Sequence, residues 1–203
     1  MSRMAAQLGS FSLISRWHQA AASTDRLAVR RLGGAEIRQA RASDWELLRE
    51  LRLRALADAP DASLSSTLDK EARHPQEVWR RWAEGGPTSV NFLARKGGAG
   101  IGMAAIFADP SAPRCMHLVA MWVDPSHRRR GVARALIDQA VRWADERQAC
   151  EVVLWVADHN RAAWTLYEQI GFRPTGERQP LPSNPTLTES LLRPPLERSV
   201  MHP

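Results

Sequence analysis

Three arginines and a glycine stand together at Arg128-Arg129-Arg130-Gly131-Val132-Ala133, and residues of these types suit the holding of phosphate. Guanidinium groups supply charge and paired N–H donors to phosphate oxygens. Gly131 and Ala133, with no side chain or a single methyl, let those oxygens come close to the backbone. Other readings of such a run are a solvated charge surface or part of a nucleic-acid patch. Groups suited to moving protons lie on either side. His117 carries an imidazole, whose ordinary pKa of about 6.5 fits proton transfer near neutrality. It reads equally well as a histidine packed on a strand. Asp158 and His159, beside Asn160, are rival bases. Tyr167, the only tyrosine, brings a phenol. Cys115 and Cys150 read as small buried hydrophobes in or beside strands rather than as nucleophiles, and two cysteines make no disulfide framework. No metal is expected.

The elements around these residues place them. Met116–Val123 is a short apolar run stopped by Asp124-Pro125, so it reads as a strand. A helix follows from Gly131 or Val132. Val132, Leu136, Ala140 and Trp143 recur on its packed face, while Arg134, Asp138, Arg142, Asp145 and Glu146 supply the wet one. The first amides of a helix have no internal partners and the macrodipole is positive there, so the arginine run sits at an anion site suited to a pyrophosphate. Cys150–Val156 is a second β-rich run. Asn160 is then a plausible N-cap for a helix with Ala163, Leu166, Tyr167 and Ile170 on one face and Gly171 at its end.

Two stretches in this order, Arg128-x-x-Gly131-x-Ala133 and Asn160-x-x-Ala163-x-x-Leu166-Tyr167-x-x-x-Gly171-Phe172, resemble the motifs of the GNAT superfamily of N-acetyltransferases. The resemblance covers about residues 37 to 196, with its specific part at 121 to 172. It implies an α/β (α+β) fold with a central mixed, mostly antiparallel sheet, flanked by helices, in which strands four and five splay to admit acetyl-CoA. It also implies roles. Arg128, Arg129, Arg130, Gly131, Val132, Ala133 and Arg134 hold the pyrophosphate. Met121, Trp122 and Val123 meet the pantetheine through backbone groups, one amide stabilising the oxyanion. Asn160 and Ala163 meet the cofactor arm. Tyr167 falls at the family's usual tyrosine and is the expected general acid to the departing sulfur. His117, the expected base, falls where histone-acetylating relatives carry a glutamate.

From residue 35 the rest of the chain reads as globular. Glu36–Ala40 is a strand, Ser43 an N-cap, and Trp45, Leu48, Leu51, Leu53, Ala55 and Leu56 mark a helix. Asp58 to Lys70 is loop-like, and Pro75 opens a helix with Val78, Trp79 and Trp82. Ser89–Arg95 and Gly100–Phe107 form a hairpin across a turn at Lys96–Ala99. Past Phe172 a proline-rich loop runs through Pro185, and Thr188–Arg193 is the last strand. Residues 1–34 are expected to be an extension without fixed structure, and 35–203 a single domain.

The 203 residues, 44% hydrophobic, suffice for one substantial core. A formal charge of +6 favours phosphorylated ligands, acidic proteins or nucleic acid without choosing among them. No apolar stretch is long enough to span a bilayer, so no membrane partner is expected and the cytoplasm is the default location. The expected function is acetyl transfer from acetyl-CoA to a primary amine of a small molecule. Acetylation of a protein lysine or amino terminus is the nearest alternative. A non-catalytic acyl-CoA-binding module or a basic nucleic-acid adaptor is the alternative of another class. A homodimer is left open. Acceptor recognition is expected in the segments 57–74 and 179–188, with Asp58, Asp61, Asp69 and Glu71 as anions for a cationic amine and Trp79 or Trp82 as an aromatic wall.

Overall fold

The sheet begins inside the stretch that the sequence reads as an extension. In the computed structural model, which describes residues 29–60 and 66–194, β1 (Arg30–Leu32) pairs antiparallel with β2 (Ala35–Gln39). Gly33 and Gly34 both have positive φ, 53° and 79°, the backbone that a two-residue hairpin requires. Arg30–Leu32 thus pair within the stretch read as an extension, because a Gly-Gly pair between short runs makes a hairpin turn rather than a linker.

Among the described residues eight strands form one sheet in the order β1-β2-β3-β4-β5-β6-β8-β7. The hairpin of β3 (Ser89–Lys96) and β4 (Ala99–Ala108) is followed by β5 (Cys115–Val123), and all these neighbours pair antiparallel. β6 (Glu151–Ala157) lies parallel to β5 over Cys115–His117 opposite Glu151–Val153. Beyond that rung the two strands share no register pair among the described residues. This is the expected splay, and the extra strand β1 makes its members the fifth and sixth here.

Helices cover both faces. α1 (Trp45–Asp58) and α3 (Gln76–Glu84) bury Leu48, Leu51, Ala55, Trp79 and Trp82 against Leu93, Met103 and Trp122 on one face. α4 (Val132–Glu146) buries Val132, Leu136, Ala140 and Trp143 against Phe92, Ala104, Ile106 and Leu118 on the other, as its periodicity predicts. A short α2 (Leu68–Ala72) stands between α1 and α3, and α5 (Arg161–Ile170) follows β6. Ser43 lies within a 3-10 turn, Ala42–Asp44, and Asp44 is the N-cap of α1. Trp79 and Trp82 sit edge to face at 5.7 Å, both fully buried, so they are core and not an acceptor wall.

The proline-rich segment is a β-hairpin instead of a loop. β7 (Arg173–Leu181) pairs with β8 (Asn184–Arg193), and β8 pairs with β6. Pro174 and Pro180 are tolerated because β7 is the sheet edge, where a missing N–H costs least, and the register shifts beside both. No described helix is long and apolar enough to cross a membrane.

Candidate functional site

Arg128 and Arg129 of the arginine run line a cavity of about 700 Å³ that follows the splay, a size suited to a small-molecule ligand. A 3-10 turn, Pro125–His127, leaves β5, and the Asp124 side chain caps it by accepting from Ser126 N–H at 2.9 Å. Arg129 then takes φ 62° and Gly131 φ 78°. Left-handed residues alternating with ordinary ones turn successive amides toward one side. The first helical bond runs from Ala135 N–H to the Gly131 carbonyl at 3.0 Å, so the amides of Val132, Ala133 and Arg134 precede the ladder. A Cβ on Gly131 would meet Leu32 Cδ2 at 3.3 Å, so β1 backs the loop.

The three arginines divide their work. Arg128 donates its Nε to the Val123 carbonyl at 3.0 Å and pairs through Nη2 with Asp58 on α1. Its side chain thus fixes the loop while lining the cavity together with Arg129, Gly131, Val132, Ala133 and Arg134, whereas Arg130 is exposed and outside the lining. Arg54 on α1 pairs with Asp124, a second tie between α1 and the loop.

β5 carries a bulge at the cavity. Met103 pairs with Trp122 and Ala105 with Val119, so Ala120 and Met121 together face one residue of β4. Ala120 has φ 51°, the left-handed backbone of a bulged residue. Met121, Trp122 and Val123 all line the cavity, and Trp122 is pinned by its Nε1 donating to Asp58 at 3.0 Å. On the facing side stand Asn160, Ala163 and Tyr167. Asn160 Oδ1 accepts from Ala163 N–H at 3.1 Å, so it caps α5. Tyr167 is 7% exposed and packs by Phe172 with ring centroids 6.0 Å apart. Burial pushes its phenol above the ordinary value, so it holds its proton at neutral pH.

His117 is outside the cavity wall, although the next residue, Leu118, lines it. It occupies the last rung of the parallel pairing, opposite Val153. Its Nε2 lies 3.0 Å from Asp109 Oδ2, and its ring stacks on Phe107 at 5.2 Å. Asp109 is rigid because its Oδ1 accepts from Ser111 N–H, Ser111 Oγ and Ala112 N–H. Burial works to raise the Asp109 carboxyl, but these donors and His117 prevail and hold it at about 2. An ionised partner on Nε2 leaves Nδ1 as the open nitrogen. Sequence reasoning missed Asp109, whose only signal is its place at the end of a strand before Pro110-Ser111.

The rival acid Asp158 is saturated by Ser190, Thr188 and Arg178. Burial opposes them, but these donors hold its carboxyl low. Among the expected acceptor anions, Asp58 lines the cavity and Glu71 is fully buried against Arg52, which also lines it. Asp69 is exposed on α2, and Asp61 is outside the described residues. Cys150 is exposed, contrary to the expected burial, and burial pushes the Cys115 thiol up to about 11.

A model described as the acetyltransferase (GNAT) family matches residues 47–172. N-acetyltransferase 8F1 of Rattus norvegicus is 30% identical over 90 residues, covering 43% of this chain and 41% of that protein. The chain spans less than half the length of the curated relatives it matches. A GNAT-family acetyltransferase from Streptococcus pneumoniae superposes with a TM-score of 0.65 at 19% identity, covering 78% of this chain and 98% of that one. The PaiA N-acetyltransferase of Thermoplasma acidophilum, solved in complex with coenzyme A, gives 0.62 at 14% identity, covering 79% and 98%. At these identities the two structures establish the shared fold.

Proposed function

The chain belongs to the acetyltransferase (GNAT) family, and from that premise we propose that it moves the acetyl group of acetyl-CoA to a primary amine of a small molecule. The carrying observation is the run of amides at the start of α4, opening with the arginines onto the cavity in the β5–β6 splay. The residues present fit the coenzyme. The amides of Val132, Ala133 and Arg134 precede the helical ladder beside the cavity, at the positive end of α4, which suits a pyrophosphate. Arg129, Arg130 and Arg134 add charge, and Arg128 braces the loop. The unpaired edge of β5, from Leu118 to Val123, offers main-chain groups to an extended amide-bearing arm.

Acetyl-CoA supplies an activated thioester carbonyl, and the protein must do three things around it. The first is to free the amine, since an alkylammonium with a pKa of about 10.4 is neutral in only about one molecule in a few thousand at pH 7. His117, with Asp109 fixing its Nε2, receives that proton on Nδ1, directly or through one water. The second is to stabilise the developing oxyanion, the work of an amide of the bulged stretch at Met121, which no antiparallel rung opposes. The third is to protonate the leaving sulfur, for which Tyr167 retains its phenolic proton.

A small acceptor is favoured because the cavity, of a small molecule's size, reaches Arg52, Ala55 and Asp58 on α1 and Ala59 at its end. A panel of small primary amines and amino-terminal peptides, followed by release of CoA thiol, tests this. Turnover with small amines is the expected result, and turnover with peptides alone overturns the assignment of acceptor.

A further inference from the structure

One cation at the cavity has no task in the reaction above. Arg52 lies on the packed side of α1 and is only 5% exposed. It nevertheless lines the cavity, beside Ala55 one turn on and opposite Met103 and Trp122 of the sheet. A guanidinium carries N–H donors on every one of its nitrogens. Among the described residues only Nη2 of Arg52 has a partner, Glu71 Oε1 at 3.2 Å, a single contact where a bidentate pair would make two. Nε and Nη1 have no hydrogen-bond partner there, yet neither is among the side-chain atoms sealed from solvent without one. The little surface that Arg52 keeps is at the cavity it lines. Unpaired charged donors at a cavity wall are costly unless a ligand meets them.

Its place separates it from the coenzyme's phosphates. Asp58, six residues further along α1, pairs with Arg128 of the pyrophosphate loop, and six residues advance a helix by about 9 Å. Arg52 is held instead from α2, by the fully buried Glu71. The other cations of the lining, His127, Arg128, Arg129 and Arg134, belong to the loop and the start of α4. The one acid of the lining, Asp58, is engaged by Arg128 and by Trp122 Nε1. At the α1 side of the cavity the groups left without partners are therefore donors. This is the reverse of the acidic pocket that the sequence led us to expect around Asp58 and Glu71.

Resting on the acetyl-transfer reading, we propose that the acceptor is an aminocarboxylate, an amino acid or a derivative that keeps its carboxylate. The carboxylate oxygens accept from the open N–H groups of Arg52, and the amine is thereby turned toward the thioester. Glu71 is a positioning residue: it fixes the guanidinium and does not touch the acceptor. The acceptor arrives as a zwitterion, and its ammonium proton passes to His117 as above. A simple alkylamine leaves the Arg52 donors without an acceptor atom, so it is the poorer substrate.

The test pairs each acid with the amine left when its carboxylate is removed: leucine with isopentylamine, phenylalanine with phenethylamine, and β-alanine with ethylamine. In the wild type at least one acid should show a kcat/KM about tenfold or more above its partner's, as befits a charged hydrogen bond. A wild type that turns over no acid better than its partner overturns the proposal. Removing Arg52 alone would strand Glu71 as a buried, uncompensated charge, so the variant combines Arg52→Met with Glu71→Gln, and acetyl-CoA binding in calorimetry shows that it is folded. Its acid-to-amine ratio should fall about tenfold or more through the KM for the acid, and an unchanged ratio overturns the proposal. A further measurement needs neither variant nor turnover. Titrated into CoA-saturated wild type, at least one acid should bind with a Kd about tenfold or more below its partner's, and equal binding within every pair overturns the proposal. Binding of acetyl-CoA with no thiol release from any acceptor would refute the transferase reading, and this titration would still decide the role of Arg52.

Discussion

At the scale of single residues, burial works to raise Tyr167, Glu189 and Asp109 alike, and only around Asp109 do hydrogen-bond donors reverse it. Tyr167 keeps its proton, so Tyr167→Phe should lower kcat by about 100-fold or more with acetyl-CoA affinity unchanged by calorimetry. Equal losses in both would make it a packing residue. Asp109, held at about 2, contributes stability that is full above the ordinary aspartate pKa of about 3.9 and is lost as pH falls toward 2. Glu189 has the opposite sign. Its folded pKa of about 7 exceeds the unfolded value of about 4.3, so the native state keeps a proton that the unfolded chain has released. Stability therefore declines as pH climbs from about 4.3 to about 7 and stays depressed above that. Glu189→Gln cannot ionise, and should melt higher than wild type at about pH 8, with the gap closing below about pH 5. Thermal melts across that range check this, and a gap independent of pH would contradict it.

At the scale of elements, the start of α4 and the bulge in β5 do different jobs with similar backbone. Gly131→Glu places a Cβ at φ 78° against Leu32 and a negative charge among anion-binding amides. It should abolish acetyl-CoA binding in calorimetry while the far-UV spectrum stays native. Ala120 bears its φ of 51° with a methyl already present, so Ala120→Val should cost roughly 1 to 2 kcal/mol in urea unfolding, since a β-branched residue fits left-handed backbone poorly. The contrast explains what the sequence made legible. Gly131 and the arginines announce the loop by residue type, and Asn160 and Gly171 mark both ends of α5. Ala120 announces nothing, because its kink is imposed by Met103 and Ala105 pairing with residues three apart on β5, Trp122 and Val119, where two apart is regular. Pro174, Pro180 and Pro185 misread as a loop because proline is excluded only from interior strands, and strand order is not a local property. Glu189 was passed over as one more acid, since its burial depends on three strands meeting.

At the scale of the whole molecule, the segment matched by the family, 47–172, is not self-sufficient. Leu32 on β1 supports Gly131, Arg30 pairs with Asp138 of α4 at 2.7 Å, and β7 and β8 supply the sheet edge beside β6. Those flanking pieces were the hardest to read, because each gains its structure from a partner remote in sequence. Among the described residues the two halves of the sheet are joined along β5 and β6 by three register pairs, Cys115 with Glu151 through His117 with Val153. A ligand lodged in the wedge above them acts as mortar, coupling halves that the backbone fastens at one corner. Scanning calorimetry should therefore show a broad endotherm for the free protein that sharpens and shifts upward with CoA, as the two sides come to melt as one body.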